Sequence, residues 1–277
     1  MRKNNHLKVI LKNYYIFIRD FITDLFDDRL GYYASSLSWS TLFTIIPFLV
    51  IVISIITTLP VFETIYTKVE ALIFSNLLPT DSKLIMEHIN TFVQNADKLG
   101  YLGMLYVSFA IFMFFKDYDH IVNDIFDTPK RTLSEALKTY LFLLIVLPTM
   151  MASSFYFSSF MQSYLDQIEI TSTIHLYTFL PYFISWMMFY IAYQLSANTH
   201  VEVSAALISS FIASLIWHLS KSAFVYYVLY NKTYNSIYGS ISTLLFFFLW
   251  IYISWAIFIH GLKFCDLLNK NEQIEHI

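Results

Sequence analysis

Residues 236–261 read SIYGSISTLLFFFLWIYISWAIFIHG, with no formally charged side chain from Ile241 to Ile259. An uncharged apolar run of that length is enough to cross about 30 Å of hydrocarbon, so it reads as a transmembrane helix. Tyr238, Gly239 and Ser240 form the expected turn into it, glycine supplying backbone angles other residues resist and serine a cap. Trp250, Tyr252 and Trp255 lie too deep to be only an interfacial belt, so packing against neighbouring helices is expected of some of them.

The whole chain shares this character. It is 57% hydrophobic and 13% charged, with mean hydropathy +0.57, against about 25% charged residues in soluble domains. The expectation is an all-α polytopic membrane protein folded as one domain over residues 1–277. A net charge of −3 argues against a nucleic-acid partner, because a phosphate-binding surface needs an excess of Lys and Arg. Cys265 is the only cysteine, which excludes an internal disulfide and a thiolate metal cluster. No short apolar core with a small-residue cleavage site follows the basic N-terminus, so the first span is expected to direct insertion.

Six spans are expected, at about 33–58, 101–115, 139–160, 176–195, 203–229 and 241–260. Ahead of them, Leu7, Ile10, Leu11, Tyr14, Ile18, Phe21, Ile22 and Leu25 recur at helical spacing and predict an N-terminal amphipathic helix. It either lies on the anionic inner leaflet or packs on the bundle. Residues 59–99 predict two amphipathic helices around the turn at Pro79, an outer hairpin suited to envelope proteins as partners. With both termini inside, twelve of the seventeen Lys and Arg fall on the cytoplasmic side and four outside, as the positive-inside rule requires.

Polar residues inside these spans are the candidate site. Ser36, Ser40 and Thr44 recur every four residues in the first span, where Pro47 removes a backbone donor and predicts a kink. In the fifth, Ser210, Ser214, His218 and Lys221 form a polar stripe. Such groups are costly in hydrocarbon, so they face either other helices or a polar path, and Lys221, nearer the outer end, has the reach to snorkel to the interface instead. Beyond the second span Asp117, His120, Asp124 and Asp127 share an arc, a weak candidate for a divalent cation or a solvated acidic face, on a helix expected to end at Pro129. No metal site and no cofactor is expected: the histidines have no paired ligand spacing, and neither a GxSxG elbow nor a phosphate loop is present.

Three blocks carry a family likeness. In LSWSTLFTIIPFLVI, Thr44 and Pro47 match a Ser/Thr-x-x-Pro pattern and Trp39 stands at an aromatic position. Residues 76–104 lead into DYDHIVNDIFDTPKR, with Asp119 where Glu is common and Asn123 at an Asn. The stretch from residue 180 to 261 places Asn198, Trp217, Lys221, Phe224, Tyr234, Tyr238, Gly239, Trp250 and Gly261 on favoured positions. In this order the blocks resemble the YihY/BrkB family of bacterial inner-membrane proteins, known under an older label as ribonuclease BN. Ala197 replaces a usual Pro, and Lys263 stands where a Glu is common, which puts any role of that Glu in question. The resemblance implies a six-span inner-membrane protein without a settled activity. Membrane lipids are the expected partners. The leading expectation is binding or transport of an amphipathic or anionic substrate in envelope maintenance. A non-catalytic scaffold is the alternative, and a tRNA nuclease is disfavoured because no acid-base or metal constellation accessible to RNA is visible.

Overall fold

The computed structural model describes residues 27–57, 100–165, 179–230, 239 and 241–275, with isolated positions before and between them. The described segments are helical, with no strand among them. The helices are α1 (Asp28–Thr57), α2 (Gly100–Ile125), α3 (Leu133–Leu165), α4 (Leu180–Ser196), α5 (Val203–Tyr230) and α6 (Ile241–Glu275). The expected outer hairpin at 59–99 and nearly all of the amphipathic helix at 7–28 lie outside the described residues, as does Tyr238.

Among the described residues two helices are long and apolar enough to cross a membrane by themselves: α5, of mean hydropathy 1.6, and α6 to Asn271, of mean hydropathy 2.1. Only 33% and 17% of their apolar windows are buried in protein. A core helix of a soluble protein would be mostly covered, so these surfaces suit a hydrocarbon solvent.

Helix boundaries depart from the hydropathy reading wherever local chemistry overrides it. Helix α3 begins at Leu133, ahead of the span expected from about 139, because Thr132 and Glu135 form a capping pair. The Thr132 backbone N–H and hydroxyl donate to Glu135 Oε2 at 3.2 and 2.7 Å. Helix α4 begins at Leu180 with Pro181 in its first turn, where a missing N–H costs nothing. Helix α2 stops before the expected Pro129. Thr128 N–H donates to the Asn123 carbonyl at 2.9 Å and Asp127 N–H to the Asp124 carbonyl at 3.5 Å. Asp127 itself sits at φ 51, so the helix ends in a Schellman turn with aspartate at the left-handed position glycine usually fills. Helix α6 continues well past residue 260, to Glu275. Helix α1 runs through the position of Pro47, and α3 contains Pro148. Gly239 has φ 54, and Ser242 closes the turn by donating its N–H and hydroxyl to the Gly239 carbonyl at 3.2 and 2.7 Å.

The chain divides into two compact units. One comprises Met1–Tyr33, Asp119–His218 and Ala256–Ile277. Its helices close on Tyr193 of α4, which is fully buried and donates to the Phe258 carbonyl of α6 at 3.0 Å. Gly261, one turn later, permits this approach: a Cβ there would lie 2.7 Å from the Ala213 Cβ of α5 and collide with the Tyr193 hydroxyl. Small residues serve this purpose between membrane helices, where dispersion contacts and not water expulsion hold the pair.

The second unit comprises Ala34–Tyr118 and Leu219–Trp255. Phe224, Val228 and Phe246 form its buried cluster, with Trp250 and Ile253 packed against it. Trp255 donates to Thr41 Oγ1 at 2.9 Å and lies 6.0 Å from the Phe114 ring. Two of the deep aromatics of α6 thus pack on neighbouring helices, while Tyr252 stays exposed.

The close approach at Gly261 predicts that Gly261→Ala costs about 1–3 kcal/mol by overpacking. The expected outcome is a lower melting temperature of the detergent-solubilised protein, measured beside Gly239→Ala, whose added Cβ would meet open space but a strained φ.

Candidate functional site

The α5 stripe is built into helix packing over most of its length. Trp186 of α4 donates its indole N–H to the Leu207 carbonyl at 3.2 Å and to Ser210 Oγ at 3.1 Å. Ser214 is buried and returns its hydroxyl to the Phe211 carbonyl at 2.9 Å. His218 Nε2 meets Ser185 Oγ at 2.6 Å, and Ser185 donates to the Tyr182 carbonyl at 2.9 Å. That chain is satisfied when His218 carries its proton on Nε2. The Tyr182 ring, 4.4 Å away between centroids, covers the imidazole. Lys221, three residues on, is only partly buried.

The hydroxyl face of α1 is also engaged. Ser40 donates to Asp117 Oδ2 of α2 at 3.0 Å, and Thr44 donates to the Ser40 and Ala110 carbonyls at 2.7 and 3.4 Å. Ser36 remains exposed.

The carboxylates of the Asp117–Asp127 stretch go to separate partners. Asp117 accepts from Ser40, Asp124 from the Tyr33 hydroxyl, and Asp127 pairs with Lys270 at 3.4 Å. His120 is exposed. Among the described residues no three His, Cys, Asp or Glu side chains are grouped as metal ligands would be.

Sequence reasoning missed a dense polar network, which centres on Arg131. Its guanidinium donates to Asn198 Oδ1 at 3.3 Å, to the Tyr140 hydroxyl at 3.4 Å, and to the Leu195 and Ala197 carbonyls at 3.0 and 2.6 Å. Asn198 returns a bond to the Pro129 carbonyl at 2.8 Å. Tyr140, 1% exposed, donates to Asp119 Oδ1, and Asn123 Nδ2 donates to Asp119 Oδ2 at 2.9 Å. Asn123 in turn accepts from the Thr128 hydroxyl at 3.1 Å. Asp119, Asn123 and Asn198 stand out in the sequence only as pattern positions. The signal that could have found the network is the capping pair at Thr132, which fixes Arg131 at the mouth of α3.

A second node lies on α6. Asp266 is 1% exposed and takes Lys263 at 3.1 Å and Lys270 at 3.0 Å on the same oxygen. Asn269 accepts from the Glu202 backbone N–H at 2.8 Å and donates to the His200 carbonyl at 3.1 Å. In this unit the start of α1 therefore meets the end of α2, and the end of α2 meets the start of α3 and the end of α6. The α3 start is also tied to the α4 end, and the α5 start to the α6 end.

Apolar helices with uncovered faces, joined through polar groups at their ends, define an integral membrane protein. The sequence matches the family model described as virulence factor BrkB over residues 21–276, and the chain belongs to that family. A UPF0761 membrane protein of Haemophilus influenzae (strain 86-028NP) is 29% identical over 252 residues, covering 90% of this chain and 94% of the relative. One from Pseudoalteromonas translucida (strain TAC 125) is 29% identical over 259 residues, covering 92% and 86%. Another, from Pseudoalteromonas atlantica, is 26% identical over 258 residues, with the same two shares. No solved structure matches the chain.

Removing the phenol from the Arg131 network leaves Asp119 short of a donor in a buried setting. Tyr140→Phe is expected to cost about 1–3 kcal/mol, read as a fall in melting temperature. Ser36→Ala, at an exposed position, is expected to stay within about 0.5 kcal/mol of wild type in the same measurement.

Proposed function

We propose that the chain is a multi-pass protein of the bacterial inner membrane, crossing it six times with both termini cytoplasmic, that binds or moves an amphipathic or anionic substrate in envelope maintenance. The orientation is supported by the excess of Lys and Arg assigned to one side and by the meeting of alternate helix ends in one unit. Lys221 is the observation that carries the substrate reading. An ionisable side chain within an apolar helix is rare and commonly marks a substrate route or a water-filled cavity, and Lys221 extends the polar stripe of α5. An anionic group carrying an apolar tail matches an ammonium on such a helix, and the hydroxyls of Ser36, Ser40 and Thr44 are candidates to border its route.

A specific observation favours the second reading, a scaffold. The bonds from His218 to Ser185 and from Trp186 to Ser210 use the stripe to hold α4 against α5. Under that reading the polar groups specify packing, and residues 59–99 are the surface for envelope partners. We take the chain to be non-enzymatic; the carboxylates of the acidic stretch at 117–127, the candidate for a divalent cation, are engaged by Ser40, Tyr33 and Lys270.

Native mass spectrometry of the gently extracted protein, wild type beside Lys221→Ala, tests the substrate reading. The expected result is one defined amphiphile per wild-type chain, retained at least tenfold less by the variant at an unchanged melting temperature. Equal retention, or a variant that only loses stability, sinks that reading in favour of the scaffold.

A further inference from the structure

Away from Lys221, a small pocket is lined by Asp27, Arg29, Leu30, Tyr33, Asp124, Ile125 and Lys263. Its geometry begins with the cap of α1. Arg29 N–H donates to Asp27 Oδ1 at 2.9 Å and the Leu30 N–H to the Asp27 carbonyl at 3.0 Å. The Arg29 side chain folds back on the same carboxylate, Nη2 at 2.8 Å from Oδ2. These bonds from Arg29 hold the Asp27 carboxyl below its ordinary value, so it is ionised at neutral pH. From the other side the Tyr33 hydroxyl donates to Asp124. Lys263 reaches the pocket from α6, one of its donors on Asp266 at 3.1 Å. The pocket thus presents two carboxylates, two cations and a phenol over two buried aliphatic residues, Leu30 and Ile125, each 4% exposed.

Its depth can be read from the helices that form it. On α6 the first cation after the uncharged run is Lys263, and on α1 the uncharged run starts after Arg29. Tyr32, 72% exposed, lies beside Tyr33 at this level, where aromatic side chains gather at membrane surfaces. The pocket therefore stands at the height of lipid headgroups. A ligand there is recognised by both signs of charge, and its apolar part has hydrocarbon to enter.

We propose that the charged rim of this pocket, at its open mouth, binds the headgroup of a zwitterionic aminophospholipid, its phosphate toward Arg29 and Lys263 and its ammonium toward Asp124 and Asp27. Arginine suits phosphate through its planar fork, and a carboxylate already held by a phenol still has lone pairs for an ammonium. A purely anionic headgroup would bring its charge against two carboxylates. The assignment does not depend on Lys221 handling a substrate; a lipid fixed here serves a scaffold as well as a transporter.

The test uses the full chain exposed to equimolar phosphatidylethanolamine and phosphatidylglycerol, with bound lipid counted by native mass spectrometry. Wild type is expected to keep one phosphatidylethanolamine per chain, and Arg29→Gln and Asp124→Asn each to lower its retention at least tenfold. Arg29 has a 70% exposed side chain, so its variant folds even if loss of the Tyr33 partner unfolds Asp124→Asn. Lys221→Ala is expected to leave this lipid in place, which separates the pocket from the substrate reading. Equal retention of both lipids overturns the proposal, as does retention unchanged in Arg29→Gln. Displacement by an equal concentration of soluble glycerophosphoethanolamine also overturns it, since the site would then take a free headgroup and not a lipid.

Discussion

One guanidinium organises the polar end of the larger unit. A helix leaves its last carbonyls without intrahelical donors, and α4 ends without the left-handed glycine that commonly supplies them. Ala197 instead turns out in an extended conformation, φ −66 and ψ 135. Arg131 fills the gap by donating to the Leu195 and Ala197 carbonyls while holding Asn198 and Tyr140. Lysine at this position could not do the same, because a single ammonium lacks the planar spread of donors that reaches four acceptors at once. Through Tyr140 the network continues to Asp119, so the ends of α2 and α4 are joined by the start of α3.

The same end of the unit shows why charged residues cost little here. Asp266 is almost fully buried, yet two lysines meet one of its oxygens. Removing either lysine leaves the other, whereas removing the carboxylate leaves two cations facing each other. The weight of the node therefore rests on the aspartate, as expected when burial makes an unpaired charge expensive. Lys263 belongs to this node and to the pocket beside Arg29, which places one cation between a structural and a ligand-facing role.

Much of the helical order was legible in the hydropathy, because an uncharged run of membrane length has few other readings. The ends were less legible, for a physical reason that differs at each. At α2 the visible stop signal was Pro129, but the chain had already left the helix at Asp127, a residue whose tolerance of positive φ is modest and easily overlooked. At α6 the apolar run and the helix do not end together: Lys263, Asp266 and Lys270 are spaced to share a face, and their mutual pairing lets the helix continue beyond the uncharged segment. The polar stripe of α5 was legible as spacing. Its partners Ser185 and Trp186 were not, since periodicity within one helix says which face is polar and nothing about which helix covers it. Arg131 was hidden for a related reason, being a loop residue three of whose four acceptor groups lie more than sixty positions away.

Polar groups in an apolar solvent are sorted by what satisfies them. Ser38 and Ser209 donate to a carbonyl four residues back, which consumes the hydroxyl within its own helix and asks nothing of a neighbour. His218, Trp186 and Trp255 instead use ring nitrogens to reach across and tie helix to helix. Ionised side chains have neither escape at low cost, and in the described structure, Lys221 apart, they gather where the apolar runs stop. There water and headgroups supply what the protein does not. This sorting separates two kinds of polar residue that look alike in a sequence: those whose loss loosens the bundle, and those whose chemistry faces what lies around it.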